Sequence, residues 1–532
     1  MPSDPYAARI LVIGAGSRGN QYAEAVKEVP NSIVAAIAEP IELKRKNFCK
    51  KWIWPEQEPA AEQEFDDWHQ FVQYEKTRRK RAAAGESVEP GVEVAFICIL
   101  DELHVEAITA LAPLGLHIMS EKPLATTLKD CLKIYSSLCP DGPQSQPSTI
   151  FGIGHVLRYS PHNMLLRELL LEDQVIGEII SIEHTEPVGW WHFAHSYVRG
   201  NWRKESTSAP SLLTKSCHDI DFLLWLLCSS PPRSNLPPHL PSTLASTGRL
   251  TYLHKARKPI AAGSATNCLS CPIESACTYS AKRIYLEKHL KAGNTSWPVI
   301  IVNPDIEDLY ATQGLPAAET ALLKSLAENY DDATPKSEVE RRPWFGRCVW
   351  ECDNDVCDDQ VVTLTWDDDS LPPGQSAGGD ENAITSDGGE GGDVLKGRMA
   401  KTAIFHMIAY TEAQCQRRGR VYGTKGEIAY DSKTISVYDF ASGEVKVHQP
   451  HQPGGGHGGG DAGLVRQFVN AVEAVRNGMA VQEAQKSFIG CSLEEIVRSH
   501  AVVFAAEEAR GGGKVVEWRE WWKREVEEKM KL

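Results

Sequence analysis

The chain lacks the features that would assign it to a membrane or to nucleic acid. No uninterrupted apolar run reaches the roughly 18 residues that a membrane-spanning helix needs. The apolar stretch 9–15 is too short for a secretory signal and contains glycine where a cleavage region would lie. Acidic residues outnumber basic ones, and the net charge is −15. We therefore expect a cytoplasmic protein that binds neither membranes nor nucleic acid.

Short apolar strands alternate with helical segments in the first part of the chain, which we predict to form one domain over residues 1–150. Strands are predicted at 9–13, 32–38, 92–100 and 116–119. The polar stretch 54–90 is expected to be an elaborated connection, with the basic run 76–81 as a solvated helix face or an insertion. This alternation is typical of an α/β fold with a parallel, doubly wound sheet.

The remainder of the chain has a different pattern, and we predict a second domain over residues 151–532. Longer alternating segments occur at 176–184, 360–366, 403–411 and 427–438. They favour an α+β domain with a large, mostly antiparallel open sheet. Residues 367–397 are acidic and dense in glycine and serine, so we expect a disordered loop there.

A glycine-rich turn joins the first predicted strand to a helix. Gly14 permits the tight turn, Gly16 lets a pyrophosphate approach the backbone, and Gly19 lets helix and strand pack closely. The helix N-terminus offers free N–H groups to the phosphates. Glu39 ends the second strand, where a carboxylate binds the ribose hydroxyls and repels a 2′-phosphate. The sequence therefore predicts a Rossmann site that prefers NAD, with NADP left open by Lys44 and Arg45 nearby.

Several further motifs follow this turn at wide intervals. They are Asp101-Glu102-Leu103-His104, Glu121-Lys122-Pro123, the segment 154–159, Gly189-Trp190-Trp191-His192, the segment 199–203, Cys217-His218-Asp219-Ile220-Asp221 and the segment 423–427. Together they resemble the Gfo/Idh/MocA oxidoreductases over most of the chain. The resemblance implies a Rossmann domain, a C-terminal sheet that often forms an oligomer interface, and hydride transfer between nicotinamide and a sugar or polyol carbon.

Two residues take catalytic roles by this resemblance. Lys122 matches the lysine that reaches the substrate hydroxyl and the nicotinamide ribose, and His218 matches the histidine that serves as acid and base. Such groups are needed because oxidation of an alcohol releases a proton together with the hydride. Further cofactor contacts are predicted around the same crevice, at Ser17, Arg18, Leu100, His104, Glu121 and Lys122.

The chain departs from the family pattern just before the histidine. Many relatives carry an aspartate four residues earlier, where this sequence has Thr214 followed by Lys215. The carboxylate that orients His218 is therefore missing or supplied elsewhere, with Asp219 and Asp221 as candidates. Lys215 is a candidate second cation in the site.

A dense group of aromatic and hydrogen-bonding residues lies between 190 and 203. Flat rings and polar groups together suit a sugar pocket, while a packed aromatic loop is the alternative. The predicted substrate contacts are Arg158, Trp191, His195, Tyr197, Arg203 and Lys215.

A cysteine-rich insertion is predicted near 262–300. Cys268 and Cys271 have the spacing that clamps one metal ion, and Cys277 follows closely. We predict a structural zinc site with Cys352 as the fourth ligand, and Cys348 or a histidine as the alternatives. A disulfide or free thiols would also fit the cysteines, and the C-x₂-C-x₂-C run of iron–sulfur proteins is not met.

These observations predict an NAD(P)-dependent dehydrogenase or reductase that acts on a carbohydrate or polyol and assembles as a homo-oligomer, a dimer or tetramer. Two alternatives stay open. The fold also occurs in glycosidases that keep NAD bound, and in non-catalytic regulators that sense a dinucleotide or sugar. The presence of both Lys122 and His218 speaks against the regulator.

Overall fold

Apolar segments of the N-terminal part form a parallel sheet of six strands, seen in a computed structural model that describes residues 7–54, 60–142, 145–229, 237–369, 398–453 and 456–531. The strands are β1 (Ala8–Ile13), β2 (Ser32–Ala38), β3 (Glu64–Phe65), β4 (Val94–Ile97), β5 (His117–Ser120) and β6 (Phe151–Ile153). Their spatial order is β3-β2-β1-β4-β5-β6, so the order reverses between β1 and β4. Ligands of such sheets bind in the crevice at that point, outside the carboxyl ends of the strands.

Nine further strands form a second, mostly antiparallel sheet. They are β7 (Ile179–Pro187), β8 (Thr243–Arg249), β9 (Asp359–Trp366), β10 (Lys401–Ile408), β11 (Arg418–Gly423), β12 (Gly426–Tyr430), β13 (Ile435–Asp439), β14 (Val445–His448) and β15 (Val516–Glu517). The order is β14-β13-β12-β11-β7-β10-β9-β8-β15, and β7 pairs with β10 in parallel. Alternating burial along β9 shows that one face covers a core.

Helices cover both sheets. They are α1 (Ser17–Lys27), α2 (Glu42–Phe48), α3 (Trp68–Ala83), α4 (His104–Leu111), α5 (Leu128–Leu138), α6 (Pro161–Arg167), α7 (Trp190–Phe193), α8 (Ser211–Leu227), α9 (Val299–Val302), α10 (Ile306–Gln313), α11 (Leu315–Ala327), α12 (Lys336–Arg341), α13 (Gly460–Arg476), α14 (Val481–Ala484), α15 (Leu493–Gly512), α16 (Trp518–Trp522) and α17 (Glu528–Met530). Among the residues with described structure, no helix is both long enough and apolar enough to span a bilayer.

Helix α8 lies within the C-terminal part, against α15, β7 and β10, and α15 also packs on α5 of the N-terminal part. Nearly all of the side chains of α8 are buried, and α15 packs along it. Helix α13 returns from the C-terminal part to pack on α1, with the ring of Phe468 edge-on to Phe96 at 5.8 Å. The crevice between β1 and β4 is therefore held against residues from distant parts of the chain.

The predicted fold class is confirmed, with a parallel Rossmann sheet followed by a large antiparallel sheet. The sixth parallel strand lies past residue 150, the predicted end of the first domain. The stretch 54–90 is not only a connection, because it contains the long helix α3, on which the basic run 76–81 lies. The predicted disordered loop 367–397 falls outside the described residues from 370 onward.

Candidate active site

The turn after β1 has the geometry that a dinucleotide requires. Gly14 has a φ of +99°, and a Cβ on it would lie 2.4 Å from the carbonyl oxygen of Cys98. A Cβ on Gly19 would lie 2.0 Å from the carbonyl oxygen of Gly14, so the helix packs directly on the turn. A Cβ on Gly16 would meet no heavy atom within 4 Å. The three glycines thus divide into two that packing requires and one that faces open space, where a pyrophosphate would approach.

The N-terminus of α1 points its free N–H groups to the same space. Gly16 is the N-cap residue and makes no side-chain capping bond, and the first turn carries no acidic residue. Ser17, the first helical residue, is half-buried. With no competing carboxylate in this turn, the positive end of the helix dipole is available to a phosphate.

Glu39 lies at the carboxyl end of β2 beside this turn. Its Oε2 accepts the N–H of Ala15 at 2.8 Å, and its Oε1 accepts the N–H of Ile41 at 3.0 Å. The guanidinium of Arg45 donates to the carbonyl oxygen of Glu39 at 2.6 Å and pairs with Asp66 at 2.9 Å. Arg45 is thus occupied by protein partners, which leaves a fixed carboxylate where a 2′-phosphate would lie.

The predicted cofactor contacts Arg18 and Glu121 bind each other. Nε of Arg18 donates to Oε1 of Glu121 at 2.7 Å, and its Nη2 pairs with Asp461 at 2.7 Å. Tyr22 donates its hydroxyl to the same Glu121 oxygen. Burial alone would raise the pKa of Glu121, but Arg18 and these bonds hold it below its usual value. Because Asp461 belongs to α13, this cluster joins the Rossmann domain to the C-terminal part.

His104 and Leu100 occupy the carboxyl edge of the sheet after β4. Nδ1 of the buried His104 bonds to the carbonyl oxygen of Pro123 at 2.7 Å, and its Nε2 lies 3.3 Å from that of Ile99. Both ring nitrogens therefore face backbone carbonyls, and the bond to Pro123 holds the backbone that follows Lys122 in place. Leu100 is 47% exposed and offers an apolar side chain at the crevice.

Lys122 approaches the face of α8 that carries His218. Nζ of Lys122 donates to the carbonyl oxygen of Thr214 at 2.6 Å. Thr214 and His218 lie one turn apart on α8 and so share a face of that helix. The structure thus brings together the two predicted catalytic residues from distant segments, on the side of the sheet that carries the glycine turn.

A buried network of charges surrounds His218. Arg417 precedes β11 and pairs with Asp219 at 2.6 Å and with Glu186 at 3.0 Å. Lys215 pairs with the other oxygen of Glu186 at 2.8 Å. Asp219 lies 3.4 Å from Nε2 of His218. Of the two candidates for the missing carboxylate, Asp219 takes the place beside His218.

Asp221, the other candidate, faces a different partner. It receives two hydrogen bonds from Arg158, at 2.7 and 2.9 Å. Arg158 lines a separate cleft whose walls include Trp225 and Glu495 but not Lys122 or His218. The structure therefore does not bring Arg158 to the site as a substrate contact. Its ion pair with Asp221 is structural.

His218 is neutral in this setting. Burial, with Arg417, Lys122 and Lys215 nearby, holds its pKa well below the usual value, although Asp219 opposes the shift. Nη2 of Arg417 lies 2.5 Å from Nε2 of His218. A guanidinium can only donate, so Nε2 accepts and the ring proton is on Nδ1. Nδ1 is buried and has no hydrogen-bond partner among the described residues.

The predicted aromatic substrate contacts are packed within the protein. Trp191 lies against His289 and Trp297, with ring centroids at 4.5 and 5.1 Å. His195 stacks on Phe345 at 5.0 Å. Tyr197 is buried too and is one of the groups around Lys215. The alternative of a packed aromatic loop thus describes Trp191 and His195, while Tyr197 and Lys215 lie at the charge network.

Arg203 also differs from its predicted role. Its Nε donates to Asp353 at 2.7 Å and its Nη2 to the carbonyl oxygen of Val339 at 2.6 Å. The side chain is buried, so its donors serve the C-terminal domain. The structure does not support Arg203 as a substrate contact.

Three of the four predicted metal ligands line one cavity, and Cys352 does not. Cys268, Cys271 and Cys277 line a small cavity, and the fourth cysteine in its wall is Cys348. Cys352 is not part of that wall, and its Sγ lies 3.3 Å from the carbonyl oxygen of Cys348. All of these cysteines are free thiols, so no disulfide joins them. Of the two cysteines predicted as the fourth ligand, the cavity wall therefore contains the alternative, Cys348.

The N-terminal part is similar to a family of known proteins. Residues 8–139 match the model of the oxidoreductase family with an NAD-binding Rossmann fold. The chain is similar to inositol 2-dehydrogenase/D-chiro-inositol 3-dehydrogenase of Lactiplantibacillus plantarum, with 21% identity over 42% of this chain and 54% of that protein. It spans about half the length of the first curated relatives that it matches.

Solved structures match nearly the whole chain. Levoglucosan dehydrogenase in complex with NADH and levoglucosan aligns with a TM-score of 0.55 and 13% identity, over 96% of this chain and 99% of the other. An oxidoreductase from Agrobacterium radiobacter in complex with NAD⁺, L-tartaric acid and magnesium aligns with a TM-score of 0.54 and 12% identity, over 96% and 98%. At these identities the likeness shows the two-domain fold.

Proposed function

Because residues 8–139 match the model of the oxidoreductase family with an NAD-binding Rossmann fold, we propose that the protein is an NAD-dependent dehydrogenase or reductase. The main support for this proposal is that Lys122 and His218 lie close to each other beside the glycine turn. Lys122 also matches a lysine that contacts the nicotinamide ribose, but a dinucleotide alone does not require a histidine beside it, and the two residues together suit a reacting oxygen. Their juxtaposition therefore supports catalysis over dinucleotide sensing.

The roles of the two residues follow from their hydrogen bonds. A nicotinamide bound at the crevice supplies or accepts the hydride. The ammonium of Lys122 donates to the carbonyl oxygen of Thr214 and has two further N–H donors for a substrate oxygen. It stabilises negative charge on that oxygen, gives it a proton in reduction and takes that proton back in oxidation. Since Arg417 occupies Nε2, the ring proton of neutral His218 is on Nδ1, and we assign this Nδ1–H, unpartnered in the described part of the chain, to the same oxygen.

This assignment changes the expected role of His218. A histidine can accept a proton only through a free lone pair, and Arg417 donates to the one on Nε2. His218 therefore orients the substrate oxygen, and Lys122 carries the proton. The comparable use of a neutral imidazole as a hydrogen-bond donor to a carbonyl has precedent in enzymes.

The cofactor is NAD in preference to NADP. Both oxygens of Glu39 are fixed by backbone N–H groups, and Arg45 is bound to acidic partners. A 2′-phosphate would meet this carboxylate with no free cation supplied by Arg45. We expect the ratio of kcat/KM for NAD over NADP to fall at least tenfold in Glu39→Ser, which removes the charge.

The substrate is a carbohydrate or polyol. The relatives include proteins named for inositol and levoglucosan, which are polyhydroxylated rings. The site residues Lys122, His218 and Lys215 offer hydrogen bonds at the carboxyl edge of the sheet. Donors of this kind suit hydroxyl oxygens on several carbons of one small molecule.

The experiment is a screen of sugars and polyols with NAD and NADP, read at the absorbance of the reduced nicotinamide. Lys122→Met is expected to lower kcat at least a hundredfold with little change in NADH affinity. Lys129→Met is the matched control, because Lys129 is an exposed lysine on the next helix. Glycoside cleavage without net nicotinamide turnover would instead favour the NAD-retaining glycosidase. NADH binding without any turnover would favour the regulator.

We also infer a homo-oligomer through the second sheet. Its strands β13 and β14 leave several apolar side chains exposed, including Tyr438, Val445 and Val447. Exposed apolar patches of this kind mark interaction surfaces. Val447→Lys is expected to shift the mass measured by light scattering toward the monomer, and an unchanged mass would contradict this interface.

A further inference from the structure

The cysteine cavity lies apart from the residues of the proposed hydride-transfer site. Cys268 and Cys271 come from one short turn, Cys277 from the next, and Cys348 from the segment after α12. The remaining wall is mostly apolar and aromatic, with Ile273, Tyr279, Val349 and Trp350 among its members. Four cysteines from three segments of the chain thus line one small cavity.

A buried arginine, Arg199, contacts one of the cysteines that line this cavity. Arg199 is fully buried, and its Nη2 donates to Sγ of Cys268 at 3.4 Å. Its other hydrogen bonds go to backbone carbonyls, those of Arg347 and Tyr279, both at 2.7 Å. Among the described residues no carboxylate lies within 4.0 Å of this guanidinium, and its Nη1 is buried without a partner.

A buried cation without a counter-charge is unfavourable, because burial removes its hydration and hydrogen bonds to neutral carbonyl oxygens replace only part of it. Neutral thiols do not supply the missing charge. Four thiolates around a divalent metal ion would carry a net negative charge directly beside Arg199. The arginine therefore provides an observation, independent of the cysteine spacing, that points to ionised sulfur.

We propose that Cys268, Cys271, Cys277 and Cys348 bind a metal centre through four thiolates, with Arg199 as the buried counter-charge. Thiolate is the form in which cysteine binds metals, and soft sulfur ligands select zinc or iron–sulfur clusters. The proposal does not depend on the dehydrogenase assignment, since none of the four cysteines contacts Lys122 or His218 in the structure.

The spread of the sulfurs favours an iron–sulfur cluster over zinc. Zinc–sulfur bonds of about 2.3 Å place the sulfurs of a tetrahedral site roughly 3.8 Å apart. Among the described residues, no three of these cysteines have all their Sγ atoms within 4.8 Å of one another. A cluster, with several metal ions between the sulfurs, needs the wider cage.

Another group of potential metal ligands, His155, Cys217 and His500, is not proposed as a metal site. His155, Cys217 and His500 have ligand atoms within 4.8 Å of one another. His500, however, accepts the N–H of Leu124 at Nε2 and bonds to the carbonyl of Ile496 through Nδ1, at 2.8 and 2.7 Å. Both of its nitrogens are used, so this group belongs to the packing around α15.

The test is metal analysis of the full-length protein purified without oxygen or chelators. We expect iron and acid-labile sulfide in equal amounts, with broad visible absorption that dithionite bleaches. A colourless protein with one equivalent of zinc would support the four-thiolate centre and overturn the iron–sulfur assignment. A protein without stoichiometric zinc or iron, in which all fourteen cysteines titrate as thiols after denaturation, would overturn the proposal.

Matched serine variants test the ligand set. Cys271→Ser and Cys348→Ser are expected to lose most of the bound metal, and Cys352→Ser to retain it. Cys352 is the stringent control, because it lies one turn from Cys348 but outside the cavity wall. Retention in Cys348→Ser with loss in Cys352→Ser would refute the choice of the fourth ligand. Metal content is measured on soluble protein, so the result does not depend on catalytic activity.

Discussion

Replacement of Arg417 tests the charge network around His218. Arg417 and Lys215 are the cations, Glu186 and Asp219 are the anions, and all four are buried. Counted among themselves, these two positive and two negative charges cancel. Arg417→Met keeps a long unbranched side chain but leaves one buried negative charge uncompensated.

The expected loss is large. Removal of one partner of a buried ion pair costs about 3–5 kcal/mol, because the remaining charge stays out of water. For the roughly 380 residues of the C-terminal part, at about 2.1 cal/mol/K per residue, each kcal/mol shifts Tm by about 1.2 °C. We therefore expect Arg417→Met to lower Tm by roughly 4–6 °C. Adding Asp219→Asn restores neutrality and should recover a large part of that loss.

Thermal unfolding at one fixed scan rate, followed by tryptophan fluorescence, measures these shifts. Arg420→Met is the matched control on the adjoining strand, because its ion pair with Glu427 is exposed. Exposed pairs contribute about 0–1 kcal/mol, so this variant should melt within about 3 °C of the parent. The reasoning would be refuted if Arg417→Met melted with the parent, or if the double variant melted below Arg417→Met.

Two further predictions concern the glycine turn and acid stability. Gly16→Ala should keep Tm but weaken NADH binding at least tenfold in a fluorescence titration, whereas Gly19→Ala should lower Tm, since its Cβ would collide with a backbone oxygen. Burial lowers the pKa of His195 and of His500 to about 3. Their unfolded pKa is about 6.5, so unfolding takes up protons and stability falls as pH drops from about 6.5 toward about 3. Urea melts across that range should show a shallower slope in His195→Phe, by up to about 1.4 kcal/mol per pH unit; an equal slope would contradict the assignment of a buried neutral ring.

The cofactor turn could be predicted from sequence because its determinants are local. Gly14, Gly16 and Gly19 act within one strand, one turn and one helix, and the structure shows the conformation and close approaches that their spacing predicts. The conformation at such a turn is set by which residues lack a Cβ. Distant residues contribute little to it.

The helix α3 could not be predicted because a charged residue occupies part of its buried face. Trp68, Phe71 and Val72 begin an apolar pattern at helical spacing, but the next position of that face is Glu75. Glu75 is buried and bound to Arg78 and Arg79, at 2.7 and 2.6 Å. The ion pairs offset the cost of burying Glu75 in the folded state. Because they are not visible in the sequence pattern, that pattern predicts a polar connection.

Glu186 and Arg417 were missed for a different reason. They lie on or beside β7 and β11, which are neighbours in the second sheet but far apart in sequence. No short motif surrounds either residue, so only the strand pairing brings them to His218. The sequence did carry one indirect signal, the cation Lys215 in a buried apolar helix, which requires an anion from somewhere else in the chain.

The two departures near His218 form one rearrangement. An aspartate at position 214 would place a carboxylate next to the histidine, and Thr214 removes it while Lys215 adds a positive charge. Glu186 compensates Lys215, and Asp219 approaches His218 together with Arg417. Of these groups, Arg417 alone bonds directly to Nε2 of His218. A carboxylate beside the ring would favour the imidazolium form, whereas the guanidinium favours the neutral imidazole. Under the proposed function the proton then travels through Lys122, so we expect His218→Asn to leave the pH–rate profile in place. Loss of that profile in His218→Asn would contradict this role of Lys122.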